Sequence, residues 1–350
     1  MNAISLFSNV GFGEYYLKDI GVDVLLANEL LESRCELYRK LHPTTKCIHG
    51  DISKYSDKAS MYISAIEREE PIDIVIATPP CQGMSVANAI KHVGDPRNTL
   101  IVHALEVFNA LQAKYMLIEN VPKMPSTYIQ DKNGIIKISD YIQSNIPSGY
   151  VAKFKTLDGK HYDTPQSRKR SICLISPKGK WEHPEPTEKI YTVRDAISHL
   201  PSLFSGQHSN IPWHFSPNHN ARHVKWMSAT PEGETAFNNT VDYPQKDGRR
   251  IKGFMTTYKR MHWDKPAPTV TMFSGSVSSQ NNVHPSDARV LSIRELLCIC
   301  GLPEDCLDRF ARKNSSGTYE YEYSAGFIRQ VIGEMFLPKM CRSIIKNLKL

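Results

Sequence analysis

The stretch DIVIATPPCQG occupies residues 73–83 and gives the clearest local signal in the chain. Its apolar run, residues 74–77, is typical of a buried strand. Pro79 and Pro80 cannot donate backbone hydrogen bonds and they fix φ, so they end the strand in a stiff turn that presents Cys81. Taken alone, Cys81 is either a buried small hydrophobe or a functional thiol at the carboxyl end of a strand, where open α/β sheets bind ligands.

Short apolar runs alternate with helical patterns through the first 175 residues. Helices are predicted from about Glu14 and over residues 31–41. Strands are predicted over residues 3–7, 23–27, 46–48, 72–77 and 115–118. This alternation indicates right-handed βαβ units that build a mostly parallel sheet with helices on both faces. We therefore expect an α/β catalytic domain over residues 1–175.

Residues from about 176 to 290 are rich in Pro, His, Ser and Asn and have weak periodicity. Segments 205–210 and 274–279 are predicted loops. A helix is expected from about Ser292 to Ile299, capped by Ser292 with Glu295 three residues later, and a last helix over residues 325–336. We expect a smaller, irregular, mainly β domain over residues 176–317. The C-terminal segment, residues 318–350, is expected to return to the first domain.

A glycine-containing turn, NVGFG at residues 9–13, follows the first predicted strand, and acidic residues end the next two strands. Such a turn lets a ligand approach the backbone and a helix N-terminus. Glu29 is placed to accept hydrogen bonds from ribose hydroxyls, and Asp51 from an adenine amino group. The layout predicts a site for a nucleotide-type cofactor.

The 350 residues are 41% hydrophobic and 23% charged, which is ordinary for a globular protein. No apolar run approaches the roughly 20 residues that span a bilayer, and the N-terminus does not resemble a signal peptide. Eight scattered cysteines without a CxxC pair argue against a zinc site and a disulfide scaffold, so we expect reduced thiols and a cytoplasmic enzyme. A net charge of +7, with basic clusters at 168–170, 249–250 and 259–260, permits nucleic-acid binding.

An ordered set of motifs runs along nearly the whole chain. The motifs are SLFSNVG (5–11), ANE (27–29), GDI (50–52), TPPCQGMS (78–85), DPRNTL (95–100), IENV (118–121), PQSRKR (165–170), KPAPTVT (265–271) and RVLSIRE (289–295). In order and spacing the set resembles the DNA (cytosine-5) methyltransferases of bacterial restriction-modification systems. The resemblance implies a Rossmann-like S-adenosylmethionine-dependent domain and a target-recognition domain.

The resemblance assigns Cys81 as the nucleophile. Its thiolate adds to C6 of cytosine, which breaks the aromaticity and makes C5 nucleophilic. Glu119, protonated through a pKa raised by burial, is expected to donate to N3 and to accept from the exocyclic amine. Arg170 is expected to hold O2, and Arg168 to support the surroundings of Glu119 or to bind a phosphate.

The resemblance also implies a cofactor, S-adenosylmethionine, and no metal. The residues expected to bind the cofactor are Phe7, Asn9, Gly11, Glu29, Asp51, Ile52 and Pro79.

Duplex DNA is the expected substrate, with the target cytosine rotated out of the stack. The residues expected to contact it are Gln82, Ser85, Arg97, Gln166 and Thr269. The loop over residues 83–98 and the smaller domain would lie on either side of the DNA. Side chains that read bases are expected between about Pro201 and Arg260.

Two motifs depart from the family pattern. The first motif of the family usually begins with Asp and has Gly where Ser5, Asn9 and Phe12 stand here. In the last motif GEMF (333–336) replaces Gly-Asn-Ala-Val. Both departures bear on cofactor affinity, whereas the catalytic positions match the family.

Three alternatives stay open at this stage. The same chemistry on tRNA is one, although the long interval between Arg170 and Lys265 favours DNA. A catalytically dead DNA-binding regulator would be expected to lack Cys81 or Glu119, and a dehydrogenase to carry a fuller GxGxxG turn. We expect a nucleoid-associated monomer, with a cognate endonuclease as a possible partner and no membrane association.

Overall fold

The computed structural model describes residues 1–68, 70–80, 96–131 and 134–348. The chain forms two compact units. The first combines Met1–Asp158, Lys169–Pro186 and Pro338–Leu350. The second combines Gly159–Arg168 and Thr187–Leu337.

The strands of the first unit form one large sheet and one hairpin. In chain order they are β1 (Asn2–Leu6), β2 (Asp23–Glu29), β3 (Lys46–His49), β4 (Ile74–Ala77), β5 (Tyr115–Asn120), β6 (Tyr128–Asp131), β7 (Gly134–Lys137), β8 (Tyr150–Asp158) and β9 (Lys169–Pro177). The seven-stranded sheet has the order β3-β2-β1-β4-β5-β9-β8, and β6 pairs with β7 outside it. Strands β1 to β5 are mutually parallel, whereas β9 is antiparallel to both β5 and β8. The predicted mostly parallel sheet is confirmed.

Both units contain helices. They are α1 (Glu32–Leu41), α2 (Tyr55–Ile66), α3 (Leu100–Ala110), α4 (Ile138–Ser144) and α9 (Pro338–Lys346) in the first unit, and α5 (Val193–Ile197), α6 (Ala221–Ala229), α7 (Ile293–Ile299) and α8 (Ala325–Glu334) in the second. Over the described residues, none of the helices is both long and apolar enough to cross a membrane.

The central strands are apolar because both faces of the sheet are covered. Every residue of β4 and of β5 is buried. Side chains on these strands, including Val75, Met116 and Ile118, share one core with Ile4 and Leu6 of β1. Parallel strands covered on both faces are continuous apolar runs of this kind, which is why residues 74–77 were recognisable in the sequence.

The segment after the glycine turn differs from the prediction. Instead of a helix from about Glu14, it forms two short 3-10 turns, Phe12–Glu14 and Lys18–Ile20. Gly11 and Gly21 adopt left-handed φ values of 79° and 71° and bound the segment at both ends. A short segment that also contains Gly13 cannot propagate a stable α-helix, since helix formation is cooperative and glycine opposes it.

The second unit is irregular, as its composition indicates. Besides its helices it has two small antiparallel ribbons, β10 (Gln245–Lys246) with β11 (Arg249–Arg250), and β12 (Ala311–Lys313) with β13 (Tyr319–Tyr321). The predicted cap of α7 is confirmed: the Glu295 backbone N–H donates to Ser292 Oγ at 3.2 Å, and the Ser292 N–H donates to Glu295 Oε2 at 2.6 Å. The last predicted helix ends at Glu334 because Met335 is extended.

A buried ion pair organises the core of the second unit. Arg289 and Glu295 are 0% and 1% exposed, and the guanidinium donates to both carboxylate oxygens at 2.7 and 2.8 Å. His284 Nε2 lies 3.6 Å from the same carboxylate. Breaking a buried pair on one side leaves the other charge uncompensated in a medium of low dielectric constant.

We expect Glu295→Ala to lower the free energy of unfolding by about 3 kcal/mol, because the buried Arg289 would lose one of its two carboxylate partners and keep only Asp287, 2.8 Å away. The matched control is Asp264→Ala, which breaks an exposed arginine–carboxylate pair with Arg194 and should cost about 1 kcal/mol or less. Urea denaturation of the two variants checks the difference. Equal losses would show that the buried pair does not organise this unit.

Candidate active site

Strand register brings the carboxyl ends of the parallel strands to one edge of the sheet. Leu6 of β1 is level with Asn28 of β2 and Ala77 of β4, and Ala77 is level with Ile118 of β5. Because β9 runs in the opposite direction, it begins at this same edge with Lys169. The segments that follow these strand ends are where open α/β sheets bind ligands.

The turn after β1 has an unusual backbone. Phe7, Asn9 and Gly11 all adopt left-handed conformations, with φ of 58°, 52° and 79°. For a residue other than glycine this costs about 1–2 kcal/mol, least for asparagine. The Asn9 N–H donates to Glu29 Oε2 at 2.9 Å, and Thr78 Oγ1 donates to the Phe7 carbonyl at 3.0 Å. The neighbouring strand ends therefore hold the turn in its strained form.

Glu29 is a buried carboxylate at the end of β2. Only 6% of the residue is exposed, and burial raises the pKa of its carboxyl while Arg34 opposes that effect. Besides the Asn9 N–H, it accepts the Leu31 N–H at 3.1 Å. A carboxylate offers about four acceptor positions, so Glu29 retains capacity for hydroxyl donors.

Asp51 follows β3 and is well solvated. Its Oδ1 accepts from the backbone N–H and the hydroxyl of Ser53 at 3.0 and 2.7 Å, and the hydroxyl bond lowers the pKa of the carboxyl. Its own N–H donates to Asp57 Oδ2 at 2.8 Å. The neighbouring Ile52 is 3% exposed and belongs to the core of the first unit.

Pro79, which follows β4 and precedes the predicted nucleophile, is hydrogen-bonded to the end of β5. The Asn120 side-chain amide donates to the Pro79 carbonyl at 2.9 Å, and its Oδ1 accepts the Val121 N–H at 2.8 Å. Pro79 itself is buried. Cys81, Gln82 and Ser85 lie outside the described residues.

Glu119 and Arg170 meet on adjacent strands. Arg170 Nε lies 2.8 Å from Glu119 Oε1, and the two side chains are 15% and 9% exposed. Strand β9 brings them together because Glu119 of β5 is level with Ile172, two residues after Arg170. A carboxylate and a guanidinium thus form one nearly buried pair at the ligand-binding edge of the sheet.

Arg168 has a different environment, within the second unit. It is 3% exposed and donates to the carbonyls of Val270, Gly333 and Met335 at 2.9, 2.9 and 3.0 Å. A guanidinium that binds phosphate needs exposure, so these contacts favour a structural role rather than the expected phosphate contact.

Three further predicted DNA contacts have varied surroundings. Gln166 is 0% exposed, accepts the Val270 N–H at 3.2 Å and donates to Cys300 Sγ at 3.1 Å, all within the second unit. Thr269 is half-buried and donates to the Ser167 carbonyl at 2.8 Å. Arg97 lies half-buried in a 3-10 turn before α3. Burial favours a supporting role for Gln166 and Thr269.

The comparisons with known proteins agree with this geometry. The family model for C-5 cytosine-specific DNA methylases matches residues 1–350. The chain belongs to this family. The Type II methyltransferase M1.HgaI of Avibacterium volantium is 38% identical to this methylase over 99% of the chain and 97% of the relative. The Type II methyltransferase M1.HphI of Haemophilus parahaemolyticus is 32% identical over 86% of the chain and 77% of the relative.

Solved structures support the fold of the methylase. A prophage-encoded protein of Escherichia coli, assigned as a DNA modification methyltransferase, matches with a TM-score of 0.73 and 19% identity. The match covers 99% of this chain and 98% of that one. The fold is therefore Rossmann-like and of the methyltransferase type, and the chain is a DNA cytosine methyltransferase.

The strand ends fit the nucleoside part of a cofactor. Glu29 offers buried acceptor positions for hydroxyl groups, and Asp51 offers an ionised carboxylate at the next strand end. The half-buried ring of Phe7 packs against the core beside them. Gly11 is needed for packing, because a Cβ at this position would lie 2.4 Å from His42 Nε2 and 2.7 Å from the Tyr38 ring. Its glycine is thus required by packing against α1.

Glu14 is a buried acid that the sequence analysis missed. It is 6% exposed and accepts hydrogen bonds from the hydroxyls of Ser5 and Tyr38. Burial raises the pKa of its carboxyl to about 7, against the effect of those two bonds. Because Tyr38 also packs against Gly11, Glu14 links β1, α1 and the turn after β1. The available signal was an acid directly after the glycine turn.

One group of possible metal ligands exists among the described residues: His199, Cys298 and Glu304. His199 Nε2 already lies 3.0 Å from Glu304 Oε2, and Arg294 Nε lies 3.5 Å from it. Burial raises the pKa of the Cys298 thiol to about 12, which disfavours the thiolate that a metal needs. The ion pairs that Glu304 makes with His199 and Arg294 explain why these side chains lie close together, so we do not assign a metal site to them.

Alanine substitutions of Arg168 and Arg170 should have different effects on stability and on methyl transfer. Arg168→Ala would leave buried carbonyls without a donor and should lower the free energy of unfolding by about 3 kcal/mol or more. Arg170→Ala should also lose stability, because Glu119 would be left nearly buried without its cation, but unlike Arg168→Ala it should lower kcat of the folded enzyme by about 100-fold, as loss of one preorganised donor does. Urea denaturation and methyl-transfer kinetics on both variants check this. A stability loss confined to Arg170→Ala would reverse the two roles.

Glu14 should make stability depend on pH. The pKa of its carboxyl is about 7 in the folded protein against an ordinary value of 4.5, so the folded state binds the proton more tightly. Stability is then highest below about pH 4.5 for this group and falls by about 3 kcal/mol as pH rises to 7. Nearby Tyr38, Cys47 and Cys341 have raised pKa values and stay neutral over this range.

Glu14→Gln keeps the hydrogen-bonding shape but removes this titration. Urea midpoints at pH 5, 6 and 7 should therefore fall less steeply in the variant than in the wild type, and the difference isolates Glu14 from other titrating groups. Parallel pH profiles would mean that Glu14 does not titrate in this range.

Proposed function

We propose that this DNA cytosine methyltransferase transfers the methyl group of S-adenosylmethionine to C5 of a flipped-out cytosine in a short duplex sequence. The proposal depends most on one observation: the Glu119–Arg170 pair lies at the ligand-binding edge, beside the strand end that leads to Cys81. The Type II names of the relatives support a role as the modification enzyme of a restriction-modification system.

Cys81 acts as the nucleophile in this proposal. Its thiolate forms a bond to C6, and the electron pair displaced from the ring moves toward N3. C5 thereby becomes nucleophilic. After C5 is methylated, loss of the C5 proton restores the double bond as the thiolate leaves. S-adenosylmethionine supplies, when bound, a methyl group on a positively charged sulfonium.

Glu119 acts first as the general acid and then as the general base at N3 in this proposal. Because Arg170 favours the carboxylate, Glu119 must take up a proton before the reaction. Its acid form then donates to N3 as negative charge develops there, and it takes the proton back when the thiolate leaves. The guanidinium of Arg170, 2.8 Å away, stabilises the carboxylate product of that donation. In this proposal the remaining N–H groups of Arg170 hold O2, while one on Nη1 donates to the Lys169 carbonyl at 2.8 Å.

The cofactor is expected at the other strand ends. Glu29 would accept ribose hydroxyls, Asp51 the adenine amino group, and the turn from Phe7 to Gly11 would approach with its backbone. Glu14 would keep that turn in position through Ser5 and Tyr38.

The direct test is methylation of plasmid DNA by the purified protein with labelled S-adenosylmethionine, followed by bisulfite sequencing. Protected cytosines in one short sequence are expected. Cys81→Ser should lose at least about 1,000-fold in turnover, because removing a covalent nucleophile removes the whole pathway, yet should still bind S-adenosylhomocysteine in calorimetry.

Glu119→Gln tests the second residue to which the proposal gives a catalytic role. It should lower kcat more than it weakens DNA binding, since its proton is needed only as charge develops on the ring. Near-normal turnover of Cys81→Ser would refute the covalent mechanism. Equal methylation of duplex DNA and tRNA would refute duplex DNA as the preferred substrate.

A further inference from the structure

Ribbon β10–β11 ends in a tight turn on the second unit. Asp247 and Gly248 have φ of 51° and 76°, the pair of left-handed residues that a two-residue hairpin turn favours. All residues from 245 to 255 are exposed. They include four cationic side chains and one carboxylate, and we call residues 245–255 the basic ribbon.

Two of the cations face each other. Lys246 pairs with Arg249 across the ribbon, so both side chains lie on the same face. Like charges directly opposite each other destabilise a ribbon. Within the part of the chain that the structure describes, neither side chain has a hydrogen bond or ion pair. The face therefore presents uncompensated positive charge.

The other ribbon of the unit shows the contrast. In β12–β13, Arg312 stands opposite Glu320, and the Lys313 ammonium lies 5.8 Å from the Tyr319 ring centre. There each cation has a partner across the ribbon. The unit thus has one charge-matched ribbon and one unmatched ribbon of similar size.

Arg250 anchors the basic ribbon from its opposite face. Its guanidinium lies 4.0 Å from the Tyr243 ring centre and donates to the carbonyls of Phe237 and Asn239 at 3.3 and 2.6 Å. At Gly253 a Cβ would lie 2.2 Å from the Phe237 ring, so the backbone packs closely there. Neighbouring residues of a strand point to opposite faces, which leaves Arg249 directed outward.

Three exposed apolar side chains follow the ribbon closely in the sequence. Phe254 is 83% exposed, Met255 55% and Ile251 39%. Single exposed hydrophobic residues are common, but three within five residues, next to unmatched cations in the sequence, indicate a binding surface. Cations neutralise phosphates, and aromatic rings stack on bases or insert between them.

We propose that the basic ribbon enters a groove of duplex DNA, with Lys246, Arg249 and Phe254 in contact with it. The inference rests on the proposed function, which makes duplex DNA the substrate. The major groove admits a two-stranded ribbon, and the guanidinium of Arg249 has the geometry for bidentate contact with guanine. Charge complementarity selects a polyanion as the occupant of this surface.

The test compares the double variant Lys246→Gln/Arg249→Gln with the control Arg312→Gln. Both lose positive charge from a ribbon of the same unit. Binding to a duplex carrying the site found by bisulfite sequencing is measured by fluorescence anisotropy at several salt concentrations. The double variant should bind more weakly, and its slope of log K against log salt should be shallower by about 2, whereas Arg312→Gln should match the wild type.

Phe254→Ala tests the apolar part separately and should weaken duplex binding by about ten-fold if the ring stacks on or between bases. Binding of S-adenosylhomocysteine should be unchanged in all variants, which checks that they are folded. Methylation of additional sequences by the Arg249→Gln protein would support contact with bases.

Wild-type affinity and salt slope in the double variant would overturn this inference and leave the proposed function intact. Failure of the wild type to methylate any duplex would instead refute the proposed function, whatever the ribbon does.

Discussion

Parallel pairing of β1 to β5 is the constraint on which the candidate site depends. Predicted site residues lie at or just after the ends of these strands, and parallel register brings the strand ends to one edge of the sheet. The antiparallel strand β9 then adds Arg170 to that edge from the opposite direction. A slip of one residue between β5 and β9 would turn Arg170 to the other face and separate it from Glu119.

Two buried carboxylates are each compensated by an arginine. Glu119 is matched by Arg170, and Glu295 by Arg289, each with atoms within hydrogen-bonding distance. Glu14 differs from these two, because its hydrogen-bond partners are hydroxyl groups and its pKa rises to about 7. The turn after β1 therefore depends on a group whose charge changes near neutrality, whereas Glu119 and Arg170 compensate each other's charge.

Local signals predicted local structure well. The apolar run at residues 74–77 and the cap formed by Ser292 and Glu295 depend on neighbours in the sequence, so both were visible in it. Arg168 shows why other features were not. Its partners lie near residues 270, 333 and 335, and nothing in the RKR segment separates a buried donor to carbonyls from an arginine that reaches the site. Glu14 was missed because the helix expected there is replaced by turns that direct its carboxyl inward.

The junction at residues 168–170 has a consequence for building hybrid enzymes. Arg168 belongs to the second unit, and Lys169 begins the strand of the first unit that holds Arg170. No linker separates the two assignments. A hybrid that takes its second unit from a relative with a different target sequence must therefore be joined elsewhere, at the exposed stretch near Pro186 for example. An inserted residue at 169 would shift Arg170 by one position along the strand and turn its side chain away from Glu119. The hybrid would then lose the Glu119–Arg170 pair when it gained the new second unit.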